Sequence, residues 1–131
     1  MDRIFLDANV LVSAALKPEA RLGDIWTLPD VRLLVSPYVI EEARRNTPGP
    51  CSERLELLLA AAVALPVEPD CSHLVERIQL PTKGLPVFAG ALAAGATHLL
   101  TGDLRHFRHL MGVETCRVRV MLPGEYLQSR M

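Results

Sequence analysis

The stretch Arg3-Ile4-Phe5-Leu6-Asp7-Ala8-Asn9-Val10-Leu11 decides the fold. Arg3 to Leu6 reads as a short buried strand that stops at an acid. Val10 to Leu16 continues apolar with helical character, so Asp7-Ala8-Asn9 is a strand-to-helix junction. Far down the chain the same figure recurs in Thr97-His98-Leu99-Leu100-Thr101-Gly102-Asp103. There an apolar strand, His98 to Leu100, stops abruptly at a Thr-Gly-Asp turn. Two strands that end in acids predict a carboxylate cluster on the lip of a parallel sheet, and such a cluster suits a divalent metal.

The intervening sequence alternates in the same manner. Ala20 to Leu28 predicts a short helix between Pro18 and Pro29, and Val31 to Val35 a second strand. Ser36 is placed to cap a helix from Pro37 to Asn46, with proline at its first position. Asn46-Thr47-Pro48-Gly49-Pro50 is a loop. Ser52 opens another helix, with Leu55, Leu58, Leu59 and Ala62 on one face. Leu65 to Val67 is a strand candidate, Ser72 to Gln79 a weak helix, and Leu80 to Leu85 a loop. Pro86 to Ala94 is a small-residue helix able to lie close to a sheet, with Gly95 as its stop signal. Asp103 to Leu110 is a turn or short helix ended by Gly112. Arg117 to Met121 is a final strand, and Pro123 starts a terminal helix. Strands alternate with helices and hairpin signals are few. The expected fold is therefore a three-layer α/β/α domain with a mostly parallel central sheet, one domain over residues 1–131.

Composition supports this. Half of the 131 residues are hydrophobic, enough for a core, but only 5% are aromatic, so Ala, Val and Leu carry the packing. The net charge of −1 gives no global basic field for nucleic acid, although an acidic site can offset a basic rim. Arg105, His106, Arg108 and His109 cluster after Asp103, and Arg44 and Arg45 follow Glu41 and Glu42. Both groups read equally as solvated helix faces or as a phosphate-contacting rim. Cys51, Cys71 and Cys116 are odd in number, far apart and without metal spacing, which predicts free thiols in a reducing compartment. The amino terminus does not read as a signal peptide. The longest apolar run, Leu57 to Val67, contains Pro66 and is too short for a bilayer. A soluble, cytoplasmic protein is expected.

A hard cation such as Mg²⁺ or Mn²⁺ needs oxygen ligands converging from different elements. Asp7 and Asp103 are the strand-end acids. Glu42 lies one turn into the helix after the second strand, at the same end of the sheet. Taken singly, each has an ordinary structural reading: Asp7 as a helix cap, Glu42 and Glu41 as surface residues. The joint placement carries the case. His106 and His109 lack a third nitrogen or sulfur ligand and read as a polar helix face. Phe107 reads as core.

Phe5-Leu6-Asp7-Ala8-Asn9-Val10-Leu11, Ser36-Pro37-Tyr38-Val39-Ile40-Glu41-Glu42, Pro86 to Ala96 leading into Thr101-Gly102-Asp103, and the ending Leu122-Pro123-Gly124-Glu125-Tyr126-Leu127 together resemble a PIN domain. The resemblance spans essentially the whole chain. It implies a Mg²⁺- or Mn²⁺-dependent ribonuclease fold, often the toxin of a toxin–antitoxin pair, acting on RNA and forming a homodimer. It places the site acids on Asp7, Glu42 and Asp103, with Asn9 and Thr101 as supporting groups; Glu42 is preferred to Glu41 by its spacing from Val39-Ile40. Many relatives carry a further acid just before the small-residue helix. Here that segment is Lys83-Gly84-Leu85-Pro86, and glycine stands in the acid's place. Asp70, ahead of a different helix, is a poor substitute.

Three function classes follow. The first is a PIN-type endoribonuclease using Asp7, Glu42 and Asp103, with Arg44 or Arg105 on substrate phosphate. The second is a catalytically impaired PIN-fold module that binds RNA or protein, motivated by Gly84. The third, a phosphotransferase acting through Asp7, lacks the second Asp that such sites carry two residues on; Asn9 stands there.

Overall fold

The strand that opens the chain, β1 (Asp2–Leu6), lies at the centre of the sheet. Its Ile4, Phe5 and Leu6 are fully buried. A strand apolar on successive residues must be covered on both faces, which is the condition of a parallel sheet inside an α/β sandwich. The computed structural model describes residues 1–74 and 77–130. In it β1 pairs in parallel with β2 (Val31–Val35) on one side and β4 (His98–Leu100) on the other. β3 (Val63–Ala64) continues in parallel beyond β2, and β6 (Val118–Met121) beyond β4. β5 (Glu114–Thr115) closes that edge antiparallel, giving the order β3-β2-β1-β4-β6-β5. The three-layer, mostly parallel architecture expected from the sequence is the one observed.

The helices are α1 (Ala8–Leu16), α2 (Pro37–Asn46), α3 (Ser52–Ala60), α4 (Gly84–Ala93), the one-turn α5 (Leu104–Phe107) and α6 (Pro123–Ser129). From β1 the chain steps outward to β2 and β3, then returns past β1 to β4. Right-handed crossovers therefore put α1 to α3 on one face and α4 on the other. In the packing, α1 lies against α2 and α3, while α4 lies against β2 and β4 and also touches α2. The direction reverses between β1 and β4, so a switch-point crevice opens beyond their carboxyl ends.

Several boundaries differ from expectation, each for a physical reason. The third strand lies at Val63–Ala64 rather than Leu65–Val67. Leu65 still donates to Val35, but Pro66 has no N–H to extend the ladder. The expected helix over Ala20–Leu28 is a 3-10 segment, Arg21–Thr27; the prolines bracket too few residues for an α-helix to propagate. α3 ends at Ala60, so Ala62 lies beyond it. α4 starts at Gly84, two residues before Pro86. Proline is accepted there because first-turn amides need no intrahelical acceptor. Ser72–Leu74 forms a 3-10 turn; the rest of the weak helix expected over 72–79 includes residues 75 and 76, which lie outside the described residues. β5 was not foreseen. Its two-residue turn uses Cys116 (φ 51°) and Arg117 (φ 69°) in the left-handed region, without the Asn or Gly that normally signals such a hairpin. No helix among the described residues is long and apolar enough to cross a membrane.

Candidate functional site

Among the described residues, the buried polar side chains are Asp7, Ser36 and Thr101. Each directly follows a strand: β1, β2 and β4. Water is excluded from the sheet interior, so the first polar groups the chain can present are those where the strands end. Ser36 is spent on structure, its Oγ accepting the Val39 amide to cap α2. Asp7 and Thr101 instead meet each other across the switch point.

The parallel register puts Leu6 beside Leu100. The next residues, Asp7 and Thr101, are therefore neighbours. Thr101 donates its hydroxyl to Asp7 Oδ2 at 2.7 Å, and the Asn9 amide donates to the same oxygen at 3.1 Å. Asp7 Oδ1 accepts the Ala8 amide at 2.7 Å, capping α1. Asn9 Oδ1 accepts the Gly102 amide at 2.7 Å, and Thr101 Oγ1 accepts the Asp103 amide at 3.0 Å. This network ties the two strand ends together and fixes the backbone that carries Asp103. Asn9 and Thr101, the expected supporting residues, thus both bond Asp7.

Asp103 caps α5 by accepting the His106 amide at 3.1 Å, and its other oxygen meets His106 Nδ1. Glu42 enters from α2, with Arg45 at 3.4 Å and the Asn46 amide at 3.4 Å. Asp7, Glu42 and Asp103 all line one cavity of about 300 Å³, together with Asn9, Tyr38, Lys83, His106 and Phe107. Burial pushes the Asp7 carboxyl above the usual carboxylate range; the hydrogen bonds from Thr101 and Ala8 oppose this, and the charge of Asp103 adds to it. The Tyr38 phenol is likewise raised by burial and then by the charges of Glu42 and Asp7. Asp7 and Asp103 are therefore close enough to feel one another, and the charges of Glu42 and Asp7 both reach Tyr38.

They are not a closed ligand cage. Among the described residues, no group of three or more His, Cys, Asp or Glu side chains converges enough to enclose a metal ion. Asp7 accepts three hydrogen bonds of roughly four that a carboxylate can take, so one acceptor position remains. Mg²⁺ keeps several waters and is commonly held by one or two carboxylates. The chemistry of the donor set, three carboxylates on one cavity, fits a hydrated hard cation.

The other expected site residues are distributed differently. Thr101 is buried beneath the cavity rather than lining it. Arg44 is held by a two-pronged pair with Glu56 at 2.8 and 2.9 Å and lies outside the cavity. Arg105 is exposed on α5, beside but not among the lining residues. Gly84 is buried and does not line the cavity; a Cβ there would lie 3.5 Å from Phe107 and 3.6 Å from Leu80. Tyr38 and Lys83 line the cavity although the sequence reading gave them no role, and His106, read as part of a polar helix face or basic rim, lines it too. Tyr38 and Glu42 are one turn apart on α2, a spacing that could have flagged Tyr38. The His106 and His109 pair divides: His106 faces Asp103, while His109 Nε2 meets the Gln79 carbonyl at 2.6 Å.

No protein-family profile matches the chain, and no curated protein matches it in sequence. Solved structures do match in fold. VapBC2 from Rickettsia felis, bound to a DNA fragment from their promoter, is similar at a TM-score of 0.66 and 14% identity, covering 90% of this chain and 96% of that one. VapBC-1 from nontypeable Haemophilus influenzae gives 0.62 and 17%, covering 93% and 98%. VapC20 from Mycobacterium tuberculosis, a Sarcin-Ricin loop cleaving toxin, gives 0.51 and 17%, covering 78% and 92%. At these identities what is shared is the fold, and the fold is PIN-like.

Proposed function

We propose that this chain is a Mg²⁺- or Mn²⁺-dependent endoribonuclease of PIN type, and the toxin of a toxin–antitoxin pair. The observation that carries the reading is that Asp7, Glu42 and Asp103, which come from three separate elements, line one cavity at the switch point of a PIN-like sheet. Asp7 and Asp103 would hold the cation, with Glu42 completing the acidic wall. When bound, such an ion polarises the phosphodiester and lowers the pKa of a coordinated water. The chain's own part is positional: Thr101 and Asn9 hold Asp7, and the Thr101–Asp103 contact holds the second acid relative to the first. Arg105 is free to approach the sugar-phosphate backbone, whereas Arg44 reaches it only by leaving Glu56.

The cellular setting belongs to the same proposal. VapBC structures are among the fold neighbours, and a small antitoxin protein is the partner we propose. A homodimer is proposed as well, with Leu57 (69% exposed) in the contact face. The three free thiols fit a cytoplasmic setting.

The test is cleavage of single-stranded RNA by the full chain with Mg²⁺ or Mn²⁺, and with EDTA. Activity is expected only with the metal, and Asp7→Asn should lower it by about 100-fold or more. Metal-independent cleavage, or full activity in the variant, would overturn the reading. A second reading, a PIN-fold RNA- or protein-binding module without catalysis, is favoured by Gly84 and by the absence of a closed cage among the described residues. RNA binding without cleavage under any metal would select it.

A further inference from the structure

The cavity wall has an unequal distribution of charge. Three of its lining residues are acids, and among the lining residues Lys83 is the one lysine or arginine. Lys83 is an exposed residue, and its side chain makes no hydrogen bond or ion pair with any described residue. The nearby arginines of α2 differ: Arg44 is paired with Glu56, and Arg45 with Glu41 and Glu42. The backbone that carries Lys83 is held in place. Lys83 is the residue that precedes α4, adjoining buried Gly84, whose amide is bonded to the Pro81 carbonyl at 2.8 Å.

A phosphodiester entering this cavity brings negative charge to a negative wall. Three carboxylates and a phosphodiester carry four negative charges; one divalent cation offsets two of them and leaves two in excess. An unpaired ammonium on the same wall is the remaining group of opposite sign. We propose that Lys83 is a phosphate-contacting residue of this site, its ammonium pairing with a backbone phosphate of single-stranded RNA bound in the cavity. The inference rests on the endoribonuclease reading above and adds a substrate-binding residue to it. It also gives the Lys83-Gly84 pair a sense: the segment presents a cation to the cavity and no carboxylate beside it.

The test uses the full chain with Mg²⁺ and a single-stranded oligoribonucleotide of mixed sequence, over a range of KCl. Lys83→Gln should raise KM about ten-fold, the loss of one charge-assisted contact, while kcat stays within about two-fold. The slope of log KM against log salt should fall by about 0.7, one phosphate contact on a single strand. Lys83→Arg should restore both. An unchanged KM and salt slope in Lys83→Gln, with RNA cleavage intact, overturns the Lys83 assignment and leaves the nuclease reading standing. Failure of the unaltered chain to bind or cleave RNA overturns both.

Discussion

Asp7 does two things whose requirements conflict. As the cap of α1 and the acceptor for Thr101 and Asn9, it is needed where it is, at 6% exposure. As a carboxylate it is penalised there, because burial and the charge of Asp103 favour its neutral form. The sign of the consequence follows. A carboxyl whose pKa is higher folded than unfolded stabilises the fold below the unfolded value, about 4, and loses that contribution as pH rises through the folded value. Without divalent metal, the melting temperature of Asp7→Asn minus that of the unaltered chain should therefore increase as pH rises above about 4, then level off. Thermal melts in EDTA from pH 3 to 8 check this; a difference constant across the range would show that Asp7 is not destabilised by its site. Perturbed carboxyls of this kind concentrate at functional sites, which supports the role we propose for Asp7.

Within α4, two glycines that look alike in sequence have opposite surroundings. A Cβ at Gly90 would lie 2.6 Å from the Phe5 ring and 3.3 Å from Ser36 Cβ. Phe5 is fully buried and has no free space to move into. Gly90→Ala should destabilise by about 1–3 kcal/mol through overpacking. At Gly84 a Cβ would make ordinary contacts of 3.5 Å and 3.6 Å, so Gly84→Ala should be neutral or stabilise by up to about 1 kcal/mol. Urea unfolding of the two variants is the check, and equal effects would contradict it. Gly90 is therefore required by close helix–sheet approach, the property that the small-residue run Val87 to Ala94 announced. Gly84 is not required by packing, so an acid could be accommodated sterically at its first carbon. That carbon would sit against Leu80 and Phe107, the latter a lining residue of the cavity.

Across the whole molecule, the two ends of the sheet have different chemistry. The carboxyl ends of β1 and β4 carry the acidic cavity. At the amino end, α6 is fastened to the sheet: Tyr126 donates to Asp2 Oδ2 at 2.6 Å, Arg130 bonds both Asp2 and Asp30, and the His98 ring meets Tyr126 edge-on at 5.0 Å. Burial, reinforced by Asp2, pushes the Tyr126 phenol up to about 12. The neutral phenol therefore holds this clasp at all pH values below about 10, and it is lost as pH rises towards 12. Tyr126→Phe should cost about 1 kcal/mol, a fall in Tm of about 3–5 °C, while leaving RNA cleavage unchanged because the clasp lies at the far end of β1. A loss of activity at temperatures where the variant is fully folded would contradict this separation.

Read alone, the sequence determined the layers, the parallel sheet and the strand-end acids. Those features depend on local signals: apolar strands that stop at Asp7 and at Thr101-Gly102-Asp103, and helices that begin at Ser36-Pro37 and end at Gly95. It did not determine the Val63–Ala64 strand, hidden within the apolar run 57–67, or the 114–121 hairpin, whose turn residues are atypical. Nor could it tell which polar groups share a cavity, because that depends on register and on the direction of side chains from separate elements. Tertiary structure decided that Arg44 turns to Glu56, that His106 faces Asp103 while His109 turns away, and that Lys83 and Tyr38 join the acids. Charge partners are chosen by proximity in three dimensions, and proximity between residues far apart in the chain exists only after the sheet has brought β1 and β4 side by side.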